Sequence, residues 1–265
     1  MNEIDLEQIC KEVRELCETT AAFLRAENRN FSFSQVEQKG IHDFVSYVDK
    51  EAEKRIVAHL SSLLPDAGFI TEENTLTIRD KKYEWIVDPL DGTTNFIHGV
   101  PCYSISIALR CNAEIVLGVI YEANLQEAFY TWKSAPSFLN ESIIKVSTKN
   151  TLNESLIATG FPSRDYDKMQ AYMAMLGEMM FNTHGIRRMG SAAVDLAYVA
   201  CGRFEGFYEY HLSPWDVAAG AIIVQNAGSC VSDFSGKDNY LFGREIVAAN
   251  SPIHREILEM IGRYF

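Results

Sequence analysis

The stretch that decides the fold runs Trp85-Ile86-Val87-Asp88-Pro89-Leu90-Asp91-Gly92-Thr93-Thr94-Asn95-Phe96. Its first three residues predict the end of a buried strand, and Pro89 predicts a kink that stops this strand. The kink leaves Asp88 and Asp91 able to converge on one point. Mg²⁺ prefers oxygen ligands in octahedral geometry at about 2.0–2.1 Å, and an Asp-x-x-Asp turn supplies such oxygens. The stretch therefore predicts a strand that leads directly into a cation site.

The residues after the two aspartates suit an anion. Gly92 lets the backbone approach a bound group closely, and Thr93 and Thr94 add hydroxyl donors. A simpler interpretation is a surface turn, in which the Asp side chains bond to their own backbone and the glycine takes a left-handed conformation. The turn alone does not decide between the two, so other segments have to be considered.

Composition places the chain among ordinary globular proteins. It has 265 residues, of which 47% are hydrophobic and 23% charged. We expect a single unit over 1–265, with a first subregion over 1–150 and a second over 151–265, because no Pro/Gly/Ser-rich linker separates them. Apolar stretches stay short of the about 18 residues that a membrane span needs. The acidic N-terminus does not resemble a secretory signal, which predicts a cytoplasmic protein.

Charge and cysteine usage exclude further classes. The formal net charge of −12 disfavours nonspecific binding to nucleic acid, which needs clustered basic residues. The six cysteines lie scattered in apolar segments without a Cys-x-x-Cys pair, so we expect free thiols rather than a zinc site or a disulfide framework.

Hydrophobic periodicity predicts helices and strands in a definite order. Helices are expected over 6–26, 47–64, 166–180, 191–200, 215–226 and 253–261. Strands are expected over 69–70, 83–87, 104–109, 115–121, 128–132, 156–158, 204–210 and 246–249. The polar stretch 27–40 predicts a loop or a short hairpin. Met173, Met175, Met179 and Met180 in the predicted helix 166–180 predict core packing rather than an adaptable surface. The order suggests stacked layers of helix and sheet.

Three more acidic segments lie at the ends of predicted elements. Glu72 follows the short strand Phe69-Ile70, and Asp49 lies near the start of the second helix. Asp216 opens a later helix in Trp215-Asp216-Val217-Ala218-Ala219-Gly220. Taken singly, the first two would be solvated surface acids, and Asp216 would be a helix-terminal acid favoured by the macrodipole by about 0.3–1 kcal/mol.

Taken together, these segments resemble the inositol monophosphatase family over most of the chain. The 85–96 stretch matches that family's motif Trp-x-x-Asp-Pro-hydrophobic-Asp-Gly-Thr-x-Asn-Phe, and 215–220 is similar to its motif Trp-Asp-x-Ala-x-Gly. Phe69-Ile70-Thr71-Glu72-Glu73 is similar to its hydrophobic-x-Glu-Glu segment. The resemblance implies an α/β fold, layered as the αβαβα sandwich of inositol monophosphatase and fructose-1,6-bisphosphatase, and a homodimer.

The resemblance also implies a set of metal ligands, with two or three magnesium ions (Mg²⁺) in each active site. Glu72, Asp88 and the carbonyl of Leu90 would hold the first ion. Asp88, Asp91 and Asp216 would hold the second, so that Asp88 bridges the two. Four carboxylates in one cavity would otherwise repel each other and take up protons.

Catalytic and substrate contacts are carried over in the same way. Glu72 and Thr93, the latter oriented by Asp49, would position and deprotonate a metal-activated water molecule, while backbone N–H groups of Gly92 and Thr93 would hold phosphate. The implied contacts to the substrate alcohol are Asp91, Gly190, Ser191, Ala192, Glu209 and Asp216.

The implied activity is magnesium-dependent, lithium-sensitive hydrolysis of a small-molecule phosphate ester, with myo-inositol monophosphate as the first expectation. Alternatives on the same scaffold are fructose 1,6-bisphosphate and 3′-phosphoadenosine 5′-phosphate, and a noncatalytic phosphate- or metal-binding protein is a third. Thr94-Asn95 resembles the inositol branch more than the Lys-Glu pair of nucleotide phosphatases. Three features depart from the family's common pattern, namely Thr71, Pro214 and the loop near Lys39. These departures affect what can be expected of a third metal ion, of a lid and of the choice of substrate.

Overall fold

A computed structural model describes residues 4–31, 36–40, 43–161 and 166–265. The helices are α1 Leu6–Asn28, α2 Tyr47–Leu63, α3 Thr93–Ile97, α4 Met169–Asn182, α5 Ala192–Ala200, α6 Pro214–Asn226 and α7 Ser251–Tyr264. The strands are β1 Val36–Gly40, β2 Asp43–Ser46, β3 Gly68–Thr71, β4 Tyr83–Asp91, β5 Ser104–Cys111, β6 Glu114–Glu122, β7 Glu127–Trp132, β8 Phe138–Leu139, β9 Ser142–Ile143, β10 Leu156–Thr159, β11 Gly185–Arg187, β12 Gly206–Tyr210, β13 Cys230–Ser232 and β14 Glu245–Ala249.

The first two layers are α1 and α2 on one face of a seven-stranded sheet. The sheet has the order β3-β4-β5-β6-β7-β8-β9, and all its neighbours are antiparallel except the parallel pair β3 and β4. Val13 and Leu24 of α1 and Ile56 of α2 pack with Trp85 and Ile107 of the sheet. This apolar contact stabilises the layer because it removes large side chains from water.

The middle layer consists of α5 and α6, which lie between the seven-stranded sheet and a five-stranded sheet. The second sheet has the order β11-β10-β12-β14-β13. Ala108 and Ile120 of the first sheet, Leu196 and Ile223 of the two helices, and Phe207 of the second sheet belong to one buried core. Small residues in α5 and α6 allow this close approach to both sheets.

The outer layer is formed by α4 and α7, which cover the other face of the five-stranded sheet. Tyr172 and Met175 of α4 and Ile257 of α7 pack on Tyr208 and Val247 of the strands. The expected αβαβα layering is therefore confirmed. The division of one unit into subregions over 1–150 and 151–265 stays a prediction, although each sheet draws its strands from one side of residue 150.

The strand before the Asp-x-x-Asp turn does not stop at Pro89 as predicted. β4 extends to Asp91, and its register against β5 shifts between Asp88 and Asp91. The irregularity accommodates the proline, because a residue without a backbone N–H cannot donate to a regular ladder. α3 directly after the turn was not predicted, since five residues are too few to show helical periodicity.

The four methionines expected in the core divide into two pairs. Met175 and Met179 are buried, whereas Met173 and Met180 are 53% and 65% exposed. The core prediction is thus wrong for the second pair, because α4 turns only one face toward the sheet. All six cysteines are free thiols, as expected.

The polar stretch 27–40 contains part of an antiparallel hairpin between β1 and β2. The hairpin alternative is confirmed for the backbone. The side chain of Lys39, and with it any role of this loop as a lid, lies outside what the structure describes. Within the four described ranges, no helix has both the length and the apolar character that a membrane span requires.

Candidate active site

The turn at the end of β4 sets the floor of the site. Asp88 is buried, and its Oδ1 accepts a hydrogen bond from the backbone N–H of Leu90 at 3.0 Å. Gly92 follows with φ +93°. A Cβ at this position would lie 3.1 and 3.2 Å from the carbonyl oxygens of Cys102 and Gly190. Both the dihedral angle and the close approach therefore require glycine.

Four carboxylates from three separate segments of the chain meet at this turn. Carboxylate oxygens of Asp88, Asp91 and Asp216 lie within 4.8 Å of one another. Glu72 lines the same cavity of about 190 Å³ as Asp91 and Asp216, and a hydrogen bond joins Glu72 to Asp88. The structure thus brings together the four acids that the sequence singled out, with the Leu90 backbone beside them.

The electrostatics of this cluster favour a cation. Removal from water, with repulsion from Asp216, raises the pKa of Glu72 well above its ordinary value. Removal from water, with repulsion from Glu72 and Asp91, does the same to the pKa of Asp88. Without a counterion, burial and mutual repulsion disfavour the charged form of these carboxyls. A set of carboxylate oxygens with such raised pKa values fits a hard divalent cation, which would cancel the repulsion.

The first turns of two helices hold the outer carboxylates. Asp91 Oδ2 accepts hydrogen bonds from Ser191 Oγ at 2.5 Å and from the N–H of Ala193 at 2.8 Å, at the start of α5. Asp216 Oδ2 accepts one from the N–H of Ser213 at 2.6 Å, which completes a capping box at the start of α6. The helix-terminal interpretation of Asp216 is thus also correct. Positive helix ends stabilise negative charge at both positions.

Asp49 and Thr93 form the hydrogen-bonded pair that the sequence predicted. Thr93 Oγ1 lies 3.1 Å from Asp49 Oδ1 and 3.1 Å from the carbonyl oxygen of Leu90. The other oxygen of Asp49 caps α2 by accepting hydrogen bonds from the N–H and hydroxyl of Ser46, at 2.9 and 2.6 Å. The cap fixes the Asp49 carboxylate, and this carboxylate in turn orients the Thr93 hydroxyl.

The predicted contacts to the alcohol line the same cavity. Gly190, Ser191, Ala192 and Glu209 all border it. Asn95 of α3 anchors the loop that leads into Gly190. Its Nδ2 donates hydrogen bonds to the carbonyl oxygens of Met189 at 2.8 Å and Cys102 at 2.7 Å. The second subregion thus contributes one wall of the cavity.

Glu209 depends on a glycine that sequence reasoning missed. A Cβ on Gly160 would lie 1.9 Å from the Glu209 carboxylate, so this acid rests directly on the bare backbone. Removal from water raises the pKa of Glu209 to about 8, with repulsion from Asp216 adding to the effect and Arg188 opposing it. Gly160 therefore decides where this carboxylate lies.

Asp195 was also missed. It lines the cavity, is 1% exposed, and its Oδ1 has no hydrogen-bond partner among the described residues. Removal from water raises its pKa well above the ordinary value, and repulsion from Glu209 adds to this. The signal was present in the sequence, because Asp195 is the one charged residue in the apolar helix Ala192–Ala200.

The fold is a layered α/β sandwich, and a cavity lined by carboxylates lies at the junction of its two larger sheets. The sequence profile of the Inositol monophosphatase family matches residues 5–264. The chain belongs to the inositol monophosphatase family.

Relatives and solved structures agree with this assignment. The chain is 41% identical over 228 residues to an inositol-1-monophosphatase of Mesorhizobium japonicum, covering 86% of each chain. It is also 41% identical over 231 residues to Nus factor SuhB of Pseudomonas aeruginosa, covering 85% of each. Its fold is similar to extragenic suppressor protein suhB from Bartonella henselae, with a TM-score of 0.91 at 37% identity over 97% of this chain and 100% of that one. An inositol monophosphatase structure from Thermotoga maritima gives 0.87 at 34% identity, covering 95% and 96%.

Replacing Glu209 by glutamine is expected to make stability less sensitive to pH. Because the folded-state pKa of about 8 lies above the ordinary value of 4.5, the folded protein binds the extra proton between these values. The free energy of unfolding therefore falls as pH rises from about 5 to 8, by at most about 1.4 kcal/mol per pH unit. Glu209→Gln removes this loss, so its advantage over the wild type grows with pH.

Urea denaturation of chelator-treated protein at pH 5, 6, 7 and 8 measures the difference. Glu259→Gln, on the exposed side of α7, makes the same chemical change at the surface and serves as the control. If the difference in the free energy of unfolding between Glu209→Gln and the wild type did not change with pH, the raised pKa of Glu209 would be contradicted.

Proposed function

We propose that this protein is a magnesium-dependent phosphomonoesterase that acts on a small polyol monophosphate, with myo-inositol monophosphate as the first candidate. The observation that carries the proposal is the convergence of Asp88, Asp91 and Asp216 within 4.8 Å, beside Glu72. Family membership and the name of the Mesorhizobium relative support it.

The proposed metal ligands are those that fit the carboxylate cluster. Glu72, Asp88 and the Leu90 carbonyl would hold one magnesium ion, and Asp88, Asp91 and Asp216 a second. Bound there, magnesium would offset the charge of the carboxylates and of the phosphate and would acidify a water molecule. The hydrogen bonds from α5 and α6 to Asp91 and Asp216 keep one oxygen of each carboxylate engaged and set the direction of the other.

The nucleophile in this proposal is water. The Thr93 hydroxyl donates a hydrogen bond to Asp49, which leaves the lone pairs of Thr93 Oγ1 to accept a hydrogen bond from that water. Glu72 is the proposed base, and the N–H groups of Gly92 and Thr93 are the proposed donors to the phosphate. Water then attacks phosphorus as the bond to the leaving alcohol oxygen breaks.

The alcohol part of the substrate would lie toward the second sheet. Ser191, Ala192 and Glu209 border that side of the cavity. A carboxylate accepts hydrogen bonds from hydroxyl groups, so Glu209 favours a polyol. Fructose 1,6-bisphosphate and 3′-phosphoadenosine 5′-phosphate are the alternative substrates for the assay. Inhibition by lithium is part of the proposal and is tested in the same assay.

A noncatalytic role is the second candidate, because several relatives carry the name Nus factor SuhB. The intact carboxylate cluster favours the enzyme. Calorimetry that shows binding of inositol monophosphate without release of phosphate would favour the second candidate.

Asp91→Asn is expected to lower kcat by at least a factor of 100. The change removes one negative charge from the cluster and puts an amide where Ser191 Oγ and Ala193 N donate. Phosphate release from a panel of esters, measured with and without magnesium, checks this. Asp66→Asn in an exposed loop is the control. Magnesium-independent turnover, or full activity of Asp91→Asn, would contradict the proposal.

Gly160→Ala is expected to raise KM for inositol monophosphate about tenfold or more. The new methyl group would occupy the place of the Glu209 carboxylate and displace it. Hydrolysis of p-nitrophenyl phosphate, which has no vicinal hydroxyl groups, should change little. Gly177→Ala in α4, where a Cβ meets open space, is the matched control. An equal loss on both substrates would argue against a polyol contact by Glu209.

The homodimer also stays a prediction, and the exposed face of α4 is the proposed dimer interface. Phe181 is 92% exposed there, next to Met180 and near Met173. Exposed apolar patches of this kind commonly mark interfaces. Light scattering should show a dimer for the wild type and a monomer for Phe181→Glu. A monomeric wild type would remove the prediction.

A further inference from the structure

Helix α2 carries a second buried carboxylate one turn after Asp49. Glu53 is 0% exposed, and neither the turn motif nor the cavity lining includes it. Residues four apart lie on the same face of a helix, so Asp49 and Glu53 point toward the same side. Burying a carboxylate is costly unless it is fully hydrogen-bonded, so its partners indicate what it does.

Among the residues that the structure describes, the four hydrogen bonds to Glu53 all come from the segment that carries Glu72. Oε1 accepts from Thr71 Oγ1 at 2.9 Å, from Thr75 Oγ1 at 2.6 Å and from the N–H of Thr75 at 2.8 Å. Oε2 accepts from the N–H of Glu73 at 2.7 Å. The carboxylate thus binds the chain on both sides of Glu72.

Glu72 itself is anchored from the opposite direction. Its N–H donates to the carbonyl oxygen of Val87 at 3.2 Å, one residue before Asp88 in β4. The backbone of Glu72 is therefore held between the strand that delivers Asp88 and the helix that delivers Glu53. Two anchors on one short segment restrict the direction in which the Glu72 carboxylate leaves the backbone.

We propose that Glu53 is a positioning residue for Glu72, and that α2 sets both members of the water-activating pair. Asp49 orients Thr93, and Glu53 orients Glu72, from successive turns of the same helix face. This inference rests on the proposed role of Glu72. It adds that the affinity for magnesium depends on a carboxylate that does not contact the metal.

The test is Glu53→Gln, which keeps the size of the side chain but places an NH₂ group against N–H or hydroxyl donors. Mutation of groups that orient a metal ligand typically costs a factor of 10–100 in metal affinity or activity. We expect the magnesium dissociation constant, measured by calorimetry without substrate, to rise at least tenfold. Hydrogen exchange of the amides in 71–76 should accelerate in the metal-free protein.

Glu122→Gln is the matched control. Glu122 is 1% exposed, and its carboxylate also holds a turn, by accepting hydrogen bonds from the N–H of Leu125 and the side chain of Asn124. The Glu122→Gln variant should lose about as much thermal stability as Glu53→Gln and should keep its affinity for magnesium. A purely structural Glu53 would behave in the same way.

If Glu53→Gln does not fold, two variants of Thr75 test the same proposal, namely Thr75→Ala and Thr75→Ser. Thr75 is exposed, and in both variants its N–H still donates to Glu53 Oε1, so both variants should remain folded. The alanine variant loses one hydrogen bond to Glu53 and should weaken magnesium binding by a smaller factor, while the serine variant keeps the hydroxyl and should restore it.

A folded Glu53→Gln with unchanged magnesium affinity and unchanged exchange in 71–76 would overturn the inference. The outcome is separate from that of the proposed function. If the wild type binds magnesium but releases no phosphate from any ester, the catalytic proposal fails while the affinity and exchange measurements still decide the role of Glu53.

Discussion

Repulsion among carboxylates withdrawn from water is the constraint on which the rest of this structure depends. Asp88, Asp91 and Asp216 lie within 4.8 Å of one another beside Glu72, and burial with mutual repulsion raises the pKa of Glu72 and of Asp88 well above their ordinary values. A fold that concentrates negative charge in this way is stabilised by a bound cation and is strained without one. The acidic cluster therefore links stability, proton uptake and metal binding in one cavity.

The fold holds these charges in place mainly through helix ends rather than through basic side chains. The first turn of α5 donates to Asp91, and Asp216 caps α6. Asp49 caps α2 in the same way. A capping hydrogen bond uses one oxygen of a carboxylate, fixes its orientation and leaves the other oxygen for a second partner. The helices thus position the carboxylates of the site and also form packing layers of the fold.

Local patterns predicted most elements, and the failures have local causes. The apolar periodicity of α1 and α2 predicted them almost to the residue, because their packing stripes are long. The short elements α3, β11 and β13 were not predicted, since three to five residues carry too little pattern. The end of β4 was misplaced, because the irregular register that admits Pro89 is set by pairing with β5.

The amino-acid sequence by itself determined which chemical groups are available and which short segments carry them. The strand before Asp88, the turn at Gly92 and the acids at helix starts follow from side-chain chemistry within a few residues. Only the tertiary structure decided that Glu209 rests on Gly160 and that Glu53 holds the segment of Glu72. Such contacts join residues far apart in the chain, and their geometry is set by how the layers pack, which no local pattern records.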